Sequence, residues 1–187
     1  MARALRRVRG VGLALRLVTT DDADYIYKLR TDRNYNAHLS AVKETVEDQR
    51  RWIEAYQARE AEGREYYYVI ERQDGRPCGV FRLYDIDPRT GSFTWGSFIL
   101  DRNKPILASL ECLYLVHAIG FDHLGLERAF YDILHANKTG LHLYRSFAEE
   151  IGADENKVYF VYTRERFETD RPIHFSTLRW EADDVGA

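Results

Sequence analysis

Two ionisable side chains lie close to the ends of predicted strands and could accept a proton. Asp85 lies near the end of a strand predicted over residues 79–86, and His135 directly follows a strand predicted over 129–134. A carboxylate and an imidazole are common general bases in proteins. Asp85 and His135 are therefore candidate bases, and the chain contains no stronger acid–base cluster.

A tyrosine in the next predicted helix could donate a proton. Asn137 or Thr139 caps this helix, which is predicted to run to about Ile151 and to place Tyr144 on an apolar stripe. A phenol with a pKa near 10 stays protonated at neutral pH and can protonate a leaving group. The stripe alone favours a core tyrosine over a catalytic one, so both interpretations stay open at this point.

The sequence lacks the motifs of several other kinds of chemistry. The six histidines include no His-x-x-x-His pair on one predicted helix, and Cys78 and Cys112 are too few for a zinc site or a disulfide framework. The net charge of -3 argues against nucleic acid, and the apolar run over 106–121 is too short to cross a bilayer. We expect no metal, no nucleic-acid or membrane partner, and a reducing, cytoplasmic location.

The length and composition indicate one folded domain. Of the 187 residues, 45% are hydrophobic and 30% charged, which excludes disordered and fibrous classes. The basic start lacks the apolar core of a signal peptide. We therefore expect a flexible tail over 1–12 and a single domain over 13–187.

Alternating and helical patterns predict a mixed α/β (α+β) domain with about seven strands and about four helices. The second helix opens with a capping box of Thr45 and Asp48. Tight turns predict that the second, third and fourth strands form an antiparallel meander, and the next helix predicts a right-handed crossover to a parallel fifth strand. The predicted strands cover 13–18, 66–72, 79–86, 93–100, 129–134, 157–162 and 175–180. The predicted helices run over about 21–30, 45–60, 105–123 and 137–151.

A small residue pair interrupts the fourth predicted strand. Gly96 and Ser97 stand where bulky strand residues are expected. Glycine inside a strand indicates a bulge or the close approach of another chain. If the strand splays there, its backbone N–H groups could hold a developing negative charge.

The order of these elements resembles the GNAT superfamily of acyl-CoA-dependent N-acyltransferases over nearly the whole chain. The most specific local match is the spacing of Asn137, Gly140, Leu143 and Tyr144. Short segments also resemble a branch that acetylates amino sugars, often as sugar nucleotides. These segments are Leu29-Arg30, Gln49, Trp52, residues 82–85 and residues 95–97.

The resemblance implies a splayed sheet, acetyl-CoA as co-substrate and Tyr144 as the acid that protonates the departing thiolate. It also points to cofactor and acceptor contacts. The implied cofactor-binding residues are Phe98, Ile99, Leu100, Arg102, Lys104, Ile106, Leu107, Ala108, Ser109 and Asn137. The implied acceptor-binding residues are His38, Trp95 and Ser97.

One loop departs from the family pattern. The family has a glycine-rich loop before its central helix that binds the CoA pyrophosphate, whereas residues 101–109 contain no glycine. Pro105 is predicted to begin the helix, and the free N–H groups behind it can still bind an anion. The departure keeps a non-catalytic ligand-binding module open as an alternative.

The sequence as a whole predicts an acetyl-CoA-dependent N-acetyltransferase acting on a small primary amine. An amino sugar or sugar nucleotide is the preferred acceptor, because an amine of low pKa needs little help from a base. The other enzymatic alternative is acetylation of a protein N-terminus, as in the ribosomal-protein branch. An open strand edge within 157–180 would allow pairing in a homodimer.

Overall fold

A nine-stranded sheet forms the centre of the computed structural model, which describes residues 5–35 and 45–182. The strand order across the sheet is β7-β8-β6-β5-β4-β3-β2-β1-β9. The strands are β1 (Arg7–Arg9), β2 (Leu13–Leu17), β3 (Tyr66–Arg72), β4 (Pro77–Asp87), β5 (Ser92–Leu100), β6 (Arg128–Leu134), β7 (Glu149–Ala153), β8 (Lys157–Thr163) and β9 (Glu181–Ala182). The helices are α1 (Ala23–Thr31), α2 (Val46–Ala61), α3 (Ala108–His117), α4 (Lys138–Arg145) and α5 (Arg164–His174). The mixed α/β architecture is confirmed, with nine strands and five α-helices in the described residues instead of about seven strands and four helices.

Local sequence signals account for several boundaries. Thr45 and Asp48 form the predicted capping box, in which the Asp48 N–H donates to Thr45 Oγ1 at 3.2 Å and the Thr45 N–H donates to Asp48 Oδ2 at 2.9 Å. Strands β3, β4 and β5 form the predicted antiparallel meander, and β6 is parallel to β5. Caps and turns therefore predict the start of α2, the meander of β3 to β5 and the parallel strand β6 correctly.

The helix predicted from Asn137 to about Ile151 is wrong in its second half. Helix α4 ends at Arg145, and residues 149–153 form β7, which pairs antiparallel with β8. Ile151, which continues the apolar stripe, is exposed. Pairing with a strand that lies later in the chain outweighs the local helical pattern, because four of the five residues of β7 pair with residues of β8 and so satisfy backbone groups there.

The strand predicted over 175–180 is also wrong. Thr163 caps α5 by accepting a hydrogen bond from the Arg166 N–H at 3.2 Å, and a turn follows in which the Leu178 N–H donates to the Phe175 carbonyl at 2.8 Å. Phe175 is buried against the aromatic side of α5. With β8 enclosed between β7 and β6, the predicted open edge within 157–180 does not exist.

The predicted flexible tail over 1–12 is contradicted where the structure describes it. Strand β1 pairs with β2 on one side and with β9 on the other. Leu5 and Val8 are buried in the main core. The apolar side chains at these positions hold the segment against the sheet. The basic composition of the segment did not indicate this packing.

Helices cover the two faces of the sheet unequally. Helices α3, α4 and α5 cover one face, where they bury most of the core. Helices α1 and α2 pack on the opposite face against Val69 and Val80, through side chains such as Ile26 and Ile53. That second layer leaves the β6–β8 end of its face open at a surface pocket.

A buried carboxylate ties the start of α3 to the hairpin between β1 and β2. Glu111 is 4% exposed, and its two oxygens accept the Gly12 N–H at 2.9 and 3.1 Å. The Leu13 N–H donates to the same carboxylate at 3.2 Å. A charged acceptor that receives several amide hydrogens fixes the helix against the sheet edge.

Replacing this carboxylate by an amide tests the anchor. Glu111→Gln places an NH₂ group where an oxygen accepts, so we expect the free energy of unfolding to fall by about 1–3 kcal/mol. Urea unfolding followed by circular dichroism measures the change, and Glu155→Gln, at an exposed position, is the matched control. Equal stability of the two variants would show that the anchor contributes nothing.

Candidate functional site

Strands β5 and β6 run side by side for only three residue pairs. The pairs are Ser92 with Arg128, Phe93 with Ala129 and Thr94 with Phe130. Strand β5 then continues to Leu100 and β6 to Leu134, with no further pairing between them in the described part of the chain. The two strands therefore diverge into a V-shaped cleft, whose apex lies at Trp95 and Tyr131.

A bulge in β5 accompanies the divergence. The pairing of β4 with β5 shifts register between Val80 and Arg82, and Ser97 has a φ of 52°. A side chain on Gly96 would place its Cβ 3.0 Å from the hydroxyl of Tyr84. The predicted bulge at Gly96 and Ser97 is confirmed, and it redirects the end of β5 away from β6.

Part of the β5 backbone faces this cleft. The Asp101 N–H donates to the Cys78 carbonyl on the β4 side at 2.9 Å. Because backbone groups alternate in direction along a strand, Ile99 also turns its amide to β4, whereas Phe98 and Leu100 turn theirs to the cleft. Of the three predicted oxyanion and cofactor donors, the geometry thus supports Phe98 and Leu100 and assigns the Ile99 amide to the sheet.

The loop after β5 begins its helix later than predicted. Helix α3 starts at Ala108, not at Pro105, because the Ala108 N–H closes a turn on the Pro105 carbonyl at 3.1 Å. This bond occupies one of the predicted phosphate-binding amides, while Ile106 and Leu107 are exposed. The next amide of α3, that of Ser109, belongs to the helix start, where N–H groups lack intrahelical partners.

Charge and a buried acid shape the same loop. The Asp101 carboxylate accepts the Asn103 N–H at 2.6 Å and the Tyr25 hydroxyl at 3.1 Å, so it is turned inward. Arg102 and Lys104 are exposed beside it. The loop can therefore present two cations and a helix N-terminus to an anion, even without glycine.

Tyr144 packs at the apex of the cleft. Helix α4 is capped as predicted, with Asn137 Oδ1 accepting the Gly140 N–H at 2.9 Å. The Tyr144 ring lies 4.7 Å from the Tyr131 ring and 6.1 Å from the Trp95 ring, centroid to centroid. Burial raises the pKa of Tyr144 above its usual value of 10, so the phenol stays protonated. The residue is thus both a core side chain and a neighbour of the cleft.

The two predicted bases do not come together. His135 Nε2 lies 2.9 Å from the Asp154 backbone carbonyl, to which the ring is hydrogen-bonded, so His135 holds the turn before β8. Asp85 lines a surface pocket of about 230 Å³ on the sheet face opposite α3. Its φ of 51° and a second register shift, between Tyr84 and Asp87, turn its side chain out of the normal strand alternation.

The pocket contains groups that the sequence interpretation missed. Its walls include Tyr84, Asp85, Thr94, Phe130, Asp132 and Tyr159. Lys157 Nζ lies 2.8 Å from Asp132 Oδ2, which neutralises that carboxylate and raises the pKa of Lys157. The alternation of residues along β6 and β8 could have predicted that these side chains share one face of the sheet. The predicted order of helices and strands did not indicate that this part of the face is left open.

The remaining predictions concern residues that the structure does not bring to this pocket or does not describe. Trp95 is buried on the α3 side of the sheet, and Ser97 lies in the bulge. His38 lies outside the described residues. Over 5–35 and 45–182, no group of three His, Cys, Asp or Glu side chains could hold a metal ion. Over the same ranges, none of the helices is both long and apolar enough to cross a membrane.

A protein-family model matches most of the chain. The model described as an acetyltransferase (GNAT) domain matches residues 12–147. No curated protein matches the chain significantly.

Solved structures show the same fold. The structure described as apo FdhC, a nucleotide-linked sugar GNAT, is 31% identical with a TM-score of 0.81, over 88% of this chain and 93% of that one. The spermidine N-acetyltransferase from Vibrio cholerae in complex with CoA and spermine is 18% identical with a TM-score of 0.71, over 84% and 98% of the two chains. A chimera of the Vibrio cholerae enzyme SpeG with hSSAT gives 16% identity and a TM-score of 0.72, over 84% and 99%.

The left-handed backbone at Ser97 can be tested by substitution. A β-branched residue disfavours positive φ, so we expect Ser97→Val to lower the free energy of unfolding by about 1–3 kcal/mol. Ser97→Gly is the control, because glycine adopts this conformation without strain and should not destabilise the protein. Thermal unfolding compares the two variants, and equal losses in both would rule out backbone strain as the cause.

Proposed function

This chain belongs to the GNAT family of acetyltransferases, and from that premise we propose that it transfers an acetyl group from acetyl-CoA directly to an amino sugar carried on a nucleotide. The observation that carries the proposal is the cleft between β5 and β6, with an unpaired strand edge on one side and Tyr144 at its apex. Family membership fixes the reaction class, while the acceptor rests on the pocket beside the cleft.

The residues around the cleft suit acetyl-CoA. The cleft-facing amides of Phe98 and Leu100 can pair with the amide groups of an extended pantetheine arm, as a strand edge pairs with a peptide. The start of α3, with Arg102 and Lys104 nearby, can hold the pyrophosphate. The side-chain oxygen of Asn137 caps α4. The contribution of Asn137 to cofactor binding is therefore to position that helix. Acetyl-CoA supplies an activated thioester.

Three tasks then fall to this chain. Amide donors on β5 stabilise negative charge on the thioester oxygen as the amine nitrogen forms its bond to the carbonyl carbon. Tyr144 gives its proton to the sulfur as the carbon–sulfur bond breaks, which avoids release of a free thiolate. Asp85 accepts the proton that the amine loses. A single exposed carboxylate is a weak base, which fits an amine of low pKa.

The pocket supports a sugar acceptor. Tyr84, Phe130 and Tyr159 offer aromatic surfaces to the apolar side of a sugar ring, and Thr94 and Asp85 offer partners for its hydroxyl groups. A polyamine would call for several uncompensated carboxylates, but Lys157 already neutralises Asp132. The similarity to a nucleotide-linked sugar GNAT supports the same choice.

Two measurements test the function. Thermal unfolding with acetyl-CoA at 100 times its Kd should show a stabilisation of about 2.7 kcal/mol, because the ligand binds only the folded state. Thiol release should then be fastest with a nucleotide-linked amino sugar, compared with the free sugar, spermidine and a peptide with a free N-terminus.

Each alternative predicts a different result in these assays. No stabilisation by millimolar acetyl-CoA would favour a binding module that has lost the pyrophosphate site. Faster turnover of the peptide would favour protein N-terminal acetylation, and faster turnover of spermidine would remove the sugar proposal.

The role of Tyr144 can be separated from its packing. Tyr144→Phe keeps the ring and removes the proton donor, so we expect kcat to fall at least about tenfold with little change in the unfolding temperature. Steady-state kinetics give kcat and the KM for acetyl-CoA. Tyr66→Phe, at a buried tyrosine on β3, two strands away from β5, is the matched control. An unchanged kcat in Tyr144→Phe would make Tyr144 a core residue only.

A further inference from the structure

Three buried polar atoms at the apex of the cleft lack hydrogen-bond partners among the described residues. They are Nε1 of Trp95, Nε2 of His117 and the hydroxyl of Tyr131. His117 is fully buried, and Trp95 and Tyr131 are 3% and 4% exposed. Buried polar groups in proteins almost always have a partner, so three unpaired atoms in one cluster point to a bound molecule.

The position of these residues follows from the divergence of the strands. Trp95 and Tyr131 directly follow Thr94 and Phe130, the last residues that β5 and β6 pair. Their ring centroids are 6.1 Å apart, and the His117 ring lies 6.0 Å from Trp95 and 6.4 Å from Tyr131. The three rings are therefore mutual neighbours at the point where the sheet begins to open.

The donors and acceptors in this region can be assigned. Nδ1 of His117 lies 2.7 Å from the Leu113 carbonyl, which can only accept, so Nδ1 carries the hydrogen. Burial lowers the pKa of His117 to about 3, so the ring is neutral and Nε2 is an acceptor. Trp95 and Tyr131 each offer a donor.

A neighbouring hydroxyl does not satisfy this acceptor. The Tyr162 ring lies 4.7 Å from the His117 ring, centroid to centroid, but its hydroxyl donates to Asp170 Oδ2 at 2.9 Å. The cluster is left with two donors and one acceptor. A single water molecule matches this set, because it can accept two hydrogen bonds and donate one or two.

We infer that a water molecule binds at the cleft apex between Trp95, His117 and Tyr131, and that through it His117 positions Tyr144. Tyr144 packs directly on the Trp95 and Tyr131 rings. Fixing those two rings fixes the orientation of the phenol, which makes His117 a positioning residue with no contact to the substrates. The water site stands independently of the reaction, whereas the positioning role rests on the proposed function of Tyr144.

Nuclear magnetic resonance of the indole groups tests the water site. The chain has three tryptophans, so ¹⁵N-tryptophan labelling gives three indole signals, and Trp95→Phe assigns the relevant one. The Trp95 N–H should show a cross-peak to a long-lived water in the wild-type protein. The cross-peak should vanish in His117→Phe and persist in His174→Phe, a substitution at an exposed histidine.

Tyr131→Phe provides a second variant in case His117→Phe does not fold, because it removes one hydroxyl and keeps the ring. It should also abolish the long-lived cross-peak. A Trp95 N–H without a water cross-peak in the wild-type protein, or a cross-peak that survives the substitutions at 117 or 131, would overturn the water site.

Kinetics of a double variant test the positioning role. His117→Phe should lower kcat severalfold with an unchanged KM for acetyl-CoA, and it should cause no further loss in a Tyr144→Phe background. Multiplicative losses in the double variant would show that His117 acts through general stability and would overturn the positioning role. The cross-peak experiment does not depend on either kinetic result. Failure of the water site can therefore be distinguished from failure of the proposed function.

Discussion

The early end of pairing between β5 and β6 is the constraint on which the rest of the structure depends. Backbone N–H and C=O groups inside a sheet normally pair, and leaving them open costs free energy unless another partner satisfies them. Here β5 and β6 pair over three residues and then separate, so the open edge lies at the middle of the sheet. The proposed site for acetyl-CoA is thus a gap in the hydrogen bonding of the sheet itself.

The surrounding structure keeps this interruption open. Strand β5 stays paired with β4 on its far side on both sides of its bulge, and β6 stays paired with β8 along its whole length, so each wall of the cleft is held by a neighbouring strand. Helix α3 crosses beneath the apex and is itself fixed to the β1–β2 hairpin by Glu111. Aromatic side chains from β5, β6 and α4 pack together at the apex of the cleft and hold the two strands at that point.

The unequal helical layers divide the proposed reaction between two faces. Helix α4 brings Tyr144 to the cleft from the side where the core is thickest, which keeps the phenol protonated. The opposite face is covered only in part, and its open end exposes Asp85 and the aromatic pocket. In the proposed reaction, the acid and the base therefore act from different environments, one buried and one exposed, as the two opposite proton transfers require.

The sequence by itself determined those features that neighbouring residues decide: the capping box at Thr45, the Asn137 cap, the meander of β3 to β5 and the bulge at Ser97. The family resemblance carried by the spacing of Asn137 and Tyr144 came from the same local signals. Tertiary structure alone decided that residues 149–153 form a strand, that β1 joins the sheet and that Asp85 turns to a pocket while His135 holds a turn. Caps and turns depend on side chains a few residues apart, whereas strand pairing and exposure depend on partners that lie far away in the chain.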